Sequence, residues 1–153
     1  MAQVFLGMSG GVDSSAAAVL LQEQGYAVSG LHLSLLSGLP LPADRLPDDG
    51  SDARAVASLL GLPFYDMDLS PEFRATVIDY FIREYEMGRT PNPCVFCNRR
   101  IKFGAMWDAA QKLGADYLAT GHYAKIRQDP ATGRHLLCRG AVSYTHLTLP
   151  TIR

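Results

Sequence analysis

The sequence predicts an α/β fold in which a parallel sheet is covered by helices on both faces. Short apolar runs alternate with segments of helical spacing along most of the chain. Those runs are continuously apolar, as strands buried on both faces tend to be. Glycines stand where predicted helices should stop, at Gly25, Gly61 and Gly114. With 153 residues, 48% of them apolar, the chain is sized for one domain with its own core.

The first strand is predicted over 3–8. A helix follows over 14–24, with Ala16, Ala17, Val19, Leu20 and Leu21 supplying its apolar face. Residues 28–33 read as a second buried strand. Residues 37–51 are rich in Pro, Gly and Asp without periodicity and read as a mobile surface loop. A helix over 52–60 has Asp52 at its favourable end. A third strand spans 62–68, and Ser70-Pro71 opens a long helix to residue 85, with Pro at the first helical position. Residues 88–97 read as a Pro-interrupted loop. Helical spacing returns over 98–112, with Ile101, Ala105, Met106, Ala109 and Leu113 on one side. A fourth strand covers 116–120. Residues 125–127 and 135–139, joined by 129–133, read as a hairpin.

Fourteen basic residues face fifteen acidic ones, a formal charge of −1. That excludes a strongly basic nucleic-acid coat and an acidic tail, and leaves room for a local basic patch. No apolar run is long enough to span a membrane, and the N-terminus lacks the basic start of a secretory signal. Three cysteines, an odd number, argue against a secreted disulfide framework. The expected compartment is the cytoplasm, where clustered thiols suggest redox, sulfur or metal chemistry.

On a parallel sheet, ligands sit beyond the carboxyl ends of the strands, so the loops there are the ones to inspect. The first is Gly7-Met8-Ser9-Gly10-Gly11-Val12-Asp13-Ser14-Ser15. Adjacent glycines permit a tight turn and close approach to an anion. Backbone N–H groups at the following helix start favour phosphate, and the Ser9, Ser14 and Ser15 hydroxyls offer further donors. Asp13 repels an anion, so its most economical role is holding Mg²⁺. The loop is neither a dinucleotide fingerprint nor a Walker loop. The plain structural alternative is a capped Gly-Ser turn.

The second is the run Gly88 to Phe103, GRTPNPCVFCNRRIKF. Pro91 and Pro93 stiffen the approach. Cys97 is expected near the start of the next helix, where the dipole and the cations Arg99, Arg100 and Lys102 would stabilise a thiolate. Such a thiol suits nucleophilic sulfur transfer, and the same cations suit RNA phosphates. A redox pair, half a zinc site and two inert cysteines are competing readings of Cys-x-x-Cys alone.

The string Ser-Gly-Gly-Val-Asp-Ser-Ser resembles the pyrophosphate loop of the N-type ATP pyrophosphatases. The cysteine run resembles the motif of the tRNA-specific 2-thiouridylases (tRNA-uridine 2-sulfurtransferases), and residues 113–124, LGADYLATGHYA, resemble their next block. The three blocks occur in the family order and span roughly residues 3–140. The resemblance implies a Rossmann-like fold of the adenine nucleotide alpha hydrolase type. It also implies an activity: ATP adenylates the C2 oxygen of the wobble uridine of tRNA, and sulfur then replaces it as AMP leaves.

Carried over residue by residue, it assigns Gly7, Met8, Ser9, Gly10, Gly11, Val12, Asp13, Ser14, Leu33 and Gly121 to ATP. Asn92, Pro93 and Cys94 go to the target base, and Cys97 is the sulfur-accepting nucleophile. Cys94 joins it as a second catalytic thiol, and the family's cysteine chemistry brings a disulfide bond among the expectations. Expected partners are tRNA and a sulfur donor, such as a cysteine desulfurase or a sulfur relay carrier, with no membrane. His122 either orients a phosphate or base or is a turn histidine bonded to backbone.

Two departures stand out. Many family members carry Asp where this chain has Cys94. Two thiols, with a third cysteine, suggest a [4Fe-4S] cluster in the full-length parent, held by Cys94 and Cys97 among its ligands, in place of a persulfide. The family's second catalytic cysteine and its β-rich C-terminal domains have no counterpart here, which reads as a truncated catalytic domain over 1–140. On that reading the isolated segment is inactive. Cys138 does not match the second cysteine by context. Residues 141–153 match nothing in the family pattern and read as an appended tail.

Overall fold

A computed structural model describes residues 1–39 and 49–139. The centre of the expected surface loop and the segment read as a tail lie outside the described residues.

The elements, in chain order, are β1 (Gln3–Gly7), α1 (Val12–Glu23), β2 (Ala27–Ser34), α2 (Ser51–Leu59) and β3 (Phe64–Asp68). A long helical run follows as α3 (Ser70–Phe73), a π-helical segment (Arg74–Ile78) and α4 (Asp79–Glu86). A second run comprises α5 (Pro93–Phe96), a π-helical segment (Cys97–Ala105) and α6 (Met106–Lys112). The chain then forms β4 (Tyr117–Thr120) and the hairpin β5 (Ala124–Gln128) and β6 (His135–Arg139). Among the described residues, no helix is long and apolar enough to cross a membrane.

Four strands form one parallel sheet in the order β3-β2-β1-β4. The chain adds β2 and β3 on one side of β1, then crosses to place β4 on the other. The gap between the carboxyl ends of β1 and β4 is therefore the topological switch point, where open parallel sheets bind ligands. The predicted hairpin forms a separate antiparallel ladder.

Helices cover both faces, as expected. On one, Val4, Leu6 and Val28 pack against Ala17, Ala18 and Leu21 of α1 and Ala53 and Ala57 of α2. On the other, Phe5, Leu31 and Leu118 pack against Met106 and Ala110 of α6. A third cluster, centred on Leu69, Val77 and Ile101, ties the two long helical runs together.

The structure corrects two predicted faces. In α1 the buried residues are Ser14, Ala17, Ala18 and Leu21, while Val19 and Leu20 are exposed. Ser14 turns inward because its hydroxyl donates to the Gly11 carbonyl at 3.0 Å, which satisfies it. In the second run, Ile101, Met106 and Ala110 are buried and Leu113 is exposed. Ile101 and Met106 are five apart, which in a regular α-helix places them about 140° from each other. The π-helical turn removes that offset: the Met106 N–H donates to the Ile101 carbonyl, five residues back.

The expected loop over 88–97 ends early. A helix begins at Pro93, with Asn92 as its N-cap accepting from the Val95 N–H at 3.4 Å. Proline at the first helical position and asparagine before it form a start signal.

Candidate nucleotide and cysteine site

A cleft of about 400 Å³ opens at the switch point. Its lining includes Gly7, Met8, Ser9, Gly11, Val12, Asp13 and Ser14 from the first loop, Leu33 from β2 and Gly121 after β4. The first loop, the end of strand two and the turn after strand four thus converge on one cavity. Gly10 does not line it. With φ of 78°, Gly10 turns the loop against α2, and a Cβ there would stand 2.5 Å from that of Asp52. Its role is to let the loop pass.

The start of α1 leaves amides that can receive an anion. Gly11 is its N-cap and supplies no side-chain acceptor to the first-turn N–H groups. A Cβ on Gly11 would meet only Ser9 Oγ, at 3.5 Å, so the approach from the cleft is open. Gly121 packs against this helix start, where a Cβ would lie 2.8 Å from the Ser14 nitrogen. Two of the three serine hydroxyls are turned away from the cleft, contrary to expectation, while Ser9 is exposed in the cleft wall. Those of Ser14 and Ser15 both donate to the Gly11 carbonyl, and the Ser9 N–H donates to Ser14 Oγ at 3.4 Å. The donors this turn can offer an anion are then its backbone amides and the Ser9 hydroxyl.

Asp13 accepts a hydrogen bond from the Tyr123 hydroxyl at 2.5 Å. That bond holds the tyrosine in its protonated form and pushes its pKa up. Among the described residues, no group of three His, Cys, Asp or Glu side chains stands ready for a metal ion. A magnesium ion arriving on a triphosphate brings phosphate oxygens and water as further ligands, so Asp13 alone fits that use. An iron–sulfur cluster would need more than these residues. Cys94 and Cys97 supply two thiols, and the described part of the chain adds no third ligand beside them. All three cysteines, including Cys138 in the hairpin, are free thiols.

Asn92, Pro93, Cys94 and Cys97 lie outside the cleft lining. Cys94, in the first turn of its helix, is exposed. Cys97 is half-buried against the cluster of Leu69, Val77 and Ile101. The expectation of a thiolate stabilised by the helix start is therefore corrected. The helix begins at Pro93, so Cys97 sits a turn further in, where the dipole has faded. Burial pushes its thiol pKa up, Lys102 opposes that, and Cys94 adds to it.

The helix following the cysteines reaches the cleft. Lys102 and Met106 line it, together with Leu31, His32, Leu35, Thr120 and His122. Leu31, His32, Leu35 and Met106 carry no motif signal, Thr120 lies in the 113–124 block without being singled out, and Lys102 was legible only as a neighbour of the cysteines. His122 is partly buried, and its Nδ1 meets the Thr120 hydroxyl at 2.7 Å. Burial and then Lys102 push its pKa down, favouring neutral imidazole. A second groove, beside the cysteine helix, is lined by Tyr80, Arg83, Arg89, Phe96 and Arg100 among others. Tyr80 and Phe96 stack there with centroids 3.8 Å apart, and Arg89 is held by Glu84 through two hydrogen bonds.

Residues 2–144 match the family described as tRNA methyl transferase HUP domain. The tRNA-specific 2-thiouridylase MnmA of Clostridioides difficile is 48% identical over 143 residues, which is 88% of this chain and 38% of that protein. That of Moorella thermoacetica is 50% identical, over 87% of this chain and 39% of its own length. The chain thus spans about two-fifths of the curated relatives it matches. A solved structure of the U34-tRNA thiolase NcsA from Methanococcus maripaludis, with its [4Fe-4S] cluster, is also similar. It superposes with a TM-score of 0.53 at 25% identity, covering 80% of this chain and 38% of that one. The chain belongs to the tRNA methyl transferase HUP domain family.

Proposed function

We propose that this chain forms the nucleotide-binding and sulfur-accepting part of an enzyme that 2-thiolates the wobble uridine of tRNA. The observation that carries this reading is the joining of two motifs by one helical run. Residues 97–105 begin at the candidate nucleophile and end beside the phosphate loop, with Lys102 and Met106 in the cleft wall.

ATP binds with its phosphates at the α1 start and Mg²⁺ at Asp13. The uridine C2 oxygen attacks the α-phosphorus, and pyrophosphate leaves. A persulfide on Cys97 delivers its outer sulfur to C2, and AMP leaves. A second cysteine thiol, from outside this segment, then cleaves the remaining S–S bond and forms a disulfide with Cys97. Asn92, Pro93 and Cys94 approach the base, and Arg83 and Arg100 face the RNA backbone. Once an external thiol reductant has returned that disulfide to two thiols, a sulfur-donor protein, such as a cysteine desulfurase or relay carrier, loads Cys97. A cluster at Cys94 and Cys97 would need further ligands from outside the described residues.

A chimaera joining residues 1–139 to the remaining segment of the Clostridioides difficile relative tests this. With ATP, a sulfur donor and tRNA it should produce 2-thiouridine, and Cys97→Ser should abolish the product while leaving MgATP affinity unchanged. The isolated 153-residue chain should give no multiple turnovers. Full activity of the Cys97→Ser chimaera would refute the nucleophile assignment.

A further inference from the structure

We propose that Lys102 is the cation that receives the nucleotide's phosphates, supplied to the cleft by the same helical run that carries the cysteine pair. The proposal deepens the reading above and rests on ATP being the occupant.

The charge inventory of the cleft motivates it. Among the described residues, its lining holds one lysine and no arginine, together with one carboxylate, two histidines, and otherwise small or apolar residues. A triphosphate brings several negative charges. The α1 start offers amides worth roughly half a positive charge, and His122 is held towards neutrality. Lys102 therefore carries the permanent positive charge of this wall. Its side chain is only partly buried, and no carboxylate among the described residues pairs with it.

Helix geometry explains how it gets there. Lys102 follows Cys97 by five residues, and in a regular α-helix the two would point about 140° apart. Residues 97–105 are π-helical, and turns closed five residues back bring such pairs onto neighbouring faces. One run can then present Cys97 to the cluster of Leu69 and Val77 and still place Lys102 at the cleft. The charge is felt in both directions, since Lys102 lowers the pKa of Cys97 and of His122.

The test is isothermal titration of the 153-residue chain with MgATP and, separately, with adenosine. Lys102→Gln should weaken MgATP by about tenfold or more, as expected for a lost charge-assisted contact, and leave adenosine unchanged. Lys102→Arg should retain most of the MgATP affinity. Lys112→Gln, an exposed lysine outside the cleft, should change neither. Unchanged MgATP affinity in Lys102→Gln would overturn the proposal, as would equal weakening of MgATP and adenosine, which would mark a structural role. Failure of the unmodified chain to bind MgATP would remove the ATP reading itself, and this inference with it.

Discussion

Gly121, after β4, lies so close to the first turn of α1 that a Cβ would stand 2.8 Å from the Ser14 nitrogen. That contact locks the strand beside the switch point to the helix that presents its amides to the cleft. Gly121→Ala forces backbone atoms apart, at an expected cost of about 1–3 kcal/mol. Thermal melts should show a lower midpoint. They should also show little of the MgATP-induced rise expected of the unmodified chain. A variant that keeps the full rise would show that the contact does not shape the site.

Gly10 and Gly11 are adjacent but do different work. Gly10 has φ of 78° and no room for a Cβ beside Asp52, so Gly10→Ala should destabilise the fold by about 1–3 kcal/mol. Gly11 has an ordinary φ of −74° and open space before it. Gly11→Ala should stay within about 0.5 kcal/mol of the unmodified chain. Urea denaturation of both variants distinguishes these outcomes.

The thiols should react in the order set by exposure. Cys94 is exposed, whereas burial raises the Cys97 pKa. A raised pKa leaves Cys97 as thiol at neutral pH, so its alkylation should lag behind Cys94 at pH 7. It should catch up only above the ordinary thiol range, as the thiolate forms. Iodoacetamide labelling read by mass spectrometry checks this. Faster labelling of Cys97 at pH 7 would restore the sequence-based expectation.

Asp13 should make nucleotide binding magnesium-dependent. Asp13→Asn is expected to bind ATP with similar affinity in Mg²⁺ and in EDTA, whereas the unmodified chain should prefer Mg²⁺. Tyr123→Phe removes the hydrogen bond to Asp13 and should preserve that preference. Titrations in the two buffers provide the comparison.

Much of the site was legible in the sequence, for identifiable reasons. Gly-Gly between a strand and a helix has few uses, and it marked the tight turn at Gly10 and Gly11 beside the cleft directly. Leu33 and Gly121 came from the family resemblance, and the strand order β3-β2-β1-β4 gives the physical reason that they converge. The start of α5 was hidden because Pro91 and Pro93 suggest a loop, and Asn92 reads as a cap only once a helix follows it. The burial of Ser14 was hidden because a polar residue breaks the apolar pattern of α1. The reach of Lys102 into the cleft was hidden most deeply. Spacing arguments assume 3.6 residues per turn, and a π-helical stretch after Cys97 changes which residues share a face.

The central claim is that the cleft at the switch point binds ATP through the backbone at the start of α1. Titration of MgATP into the unmodified chain and into Gly11→Val tests it most directly. Valine faces open space at this position and should fold, yet its branched side chain would stand where the phosphates must approach. The account predicts one-to-one binding to the unmodified chain and none measurable to a folded Gly11→Val. Equal affinity in the two would contradict it.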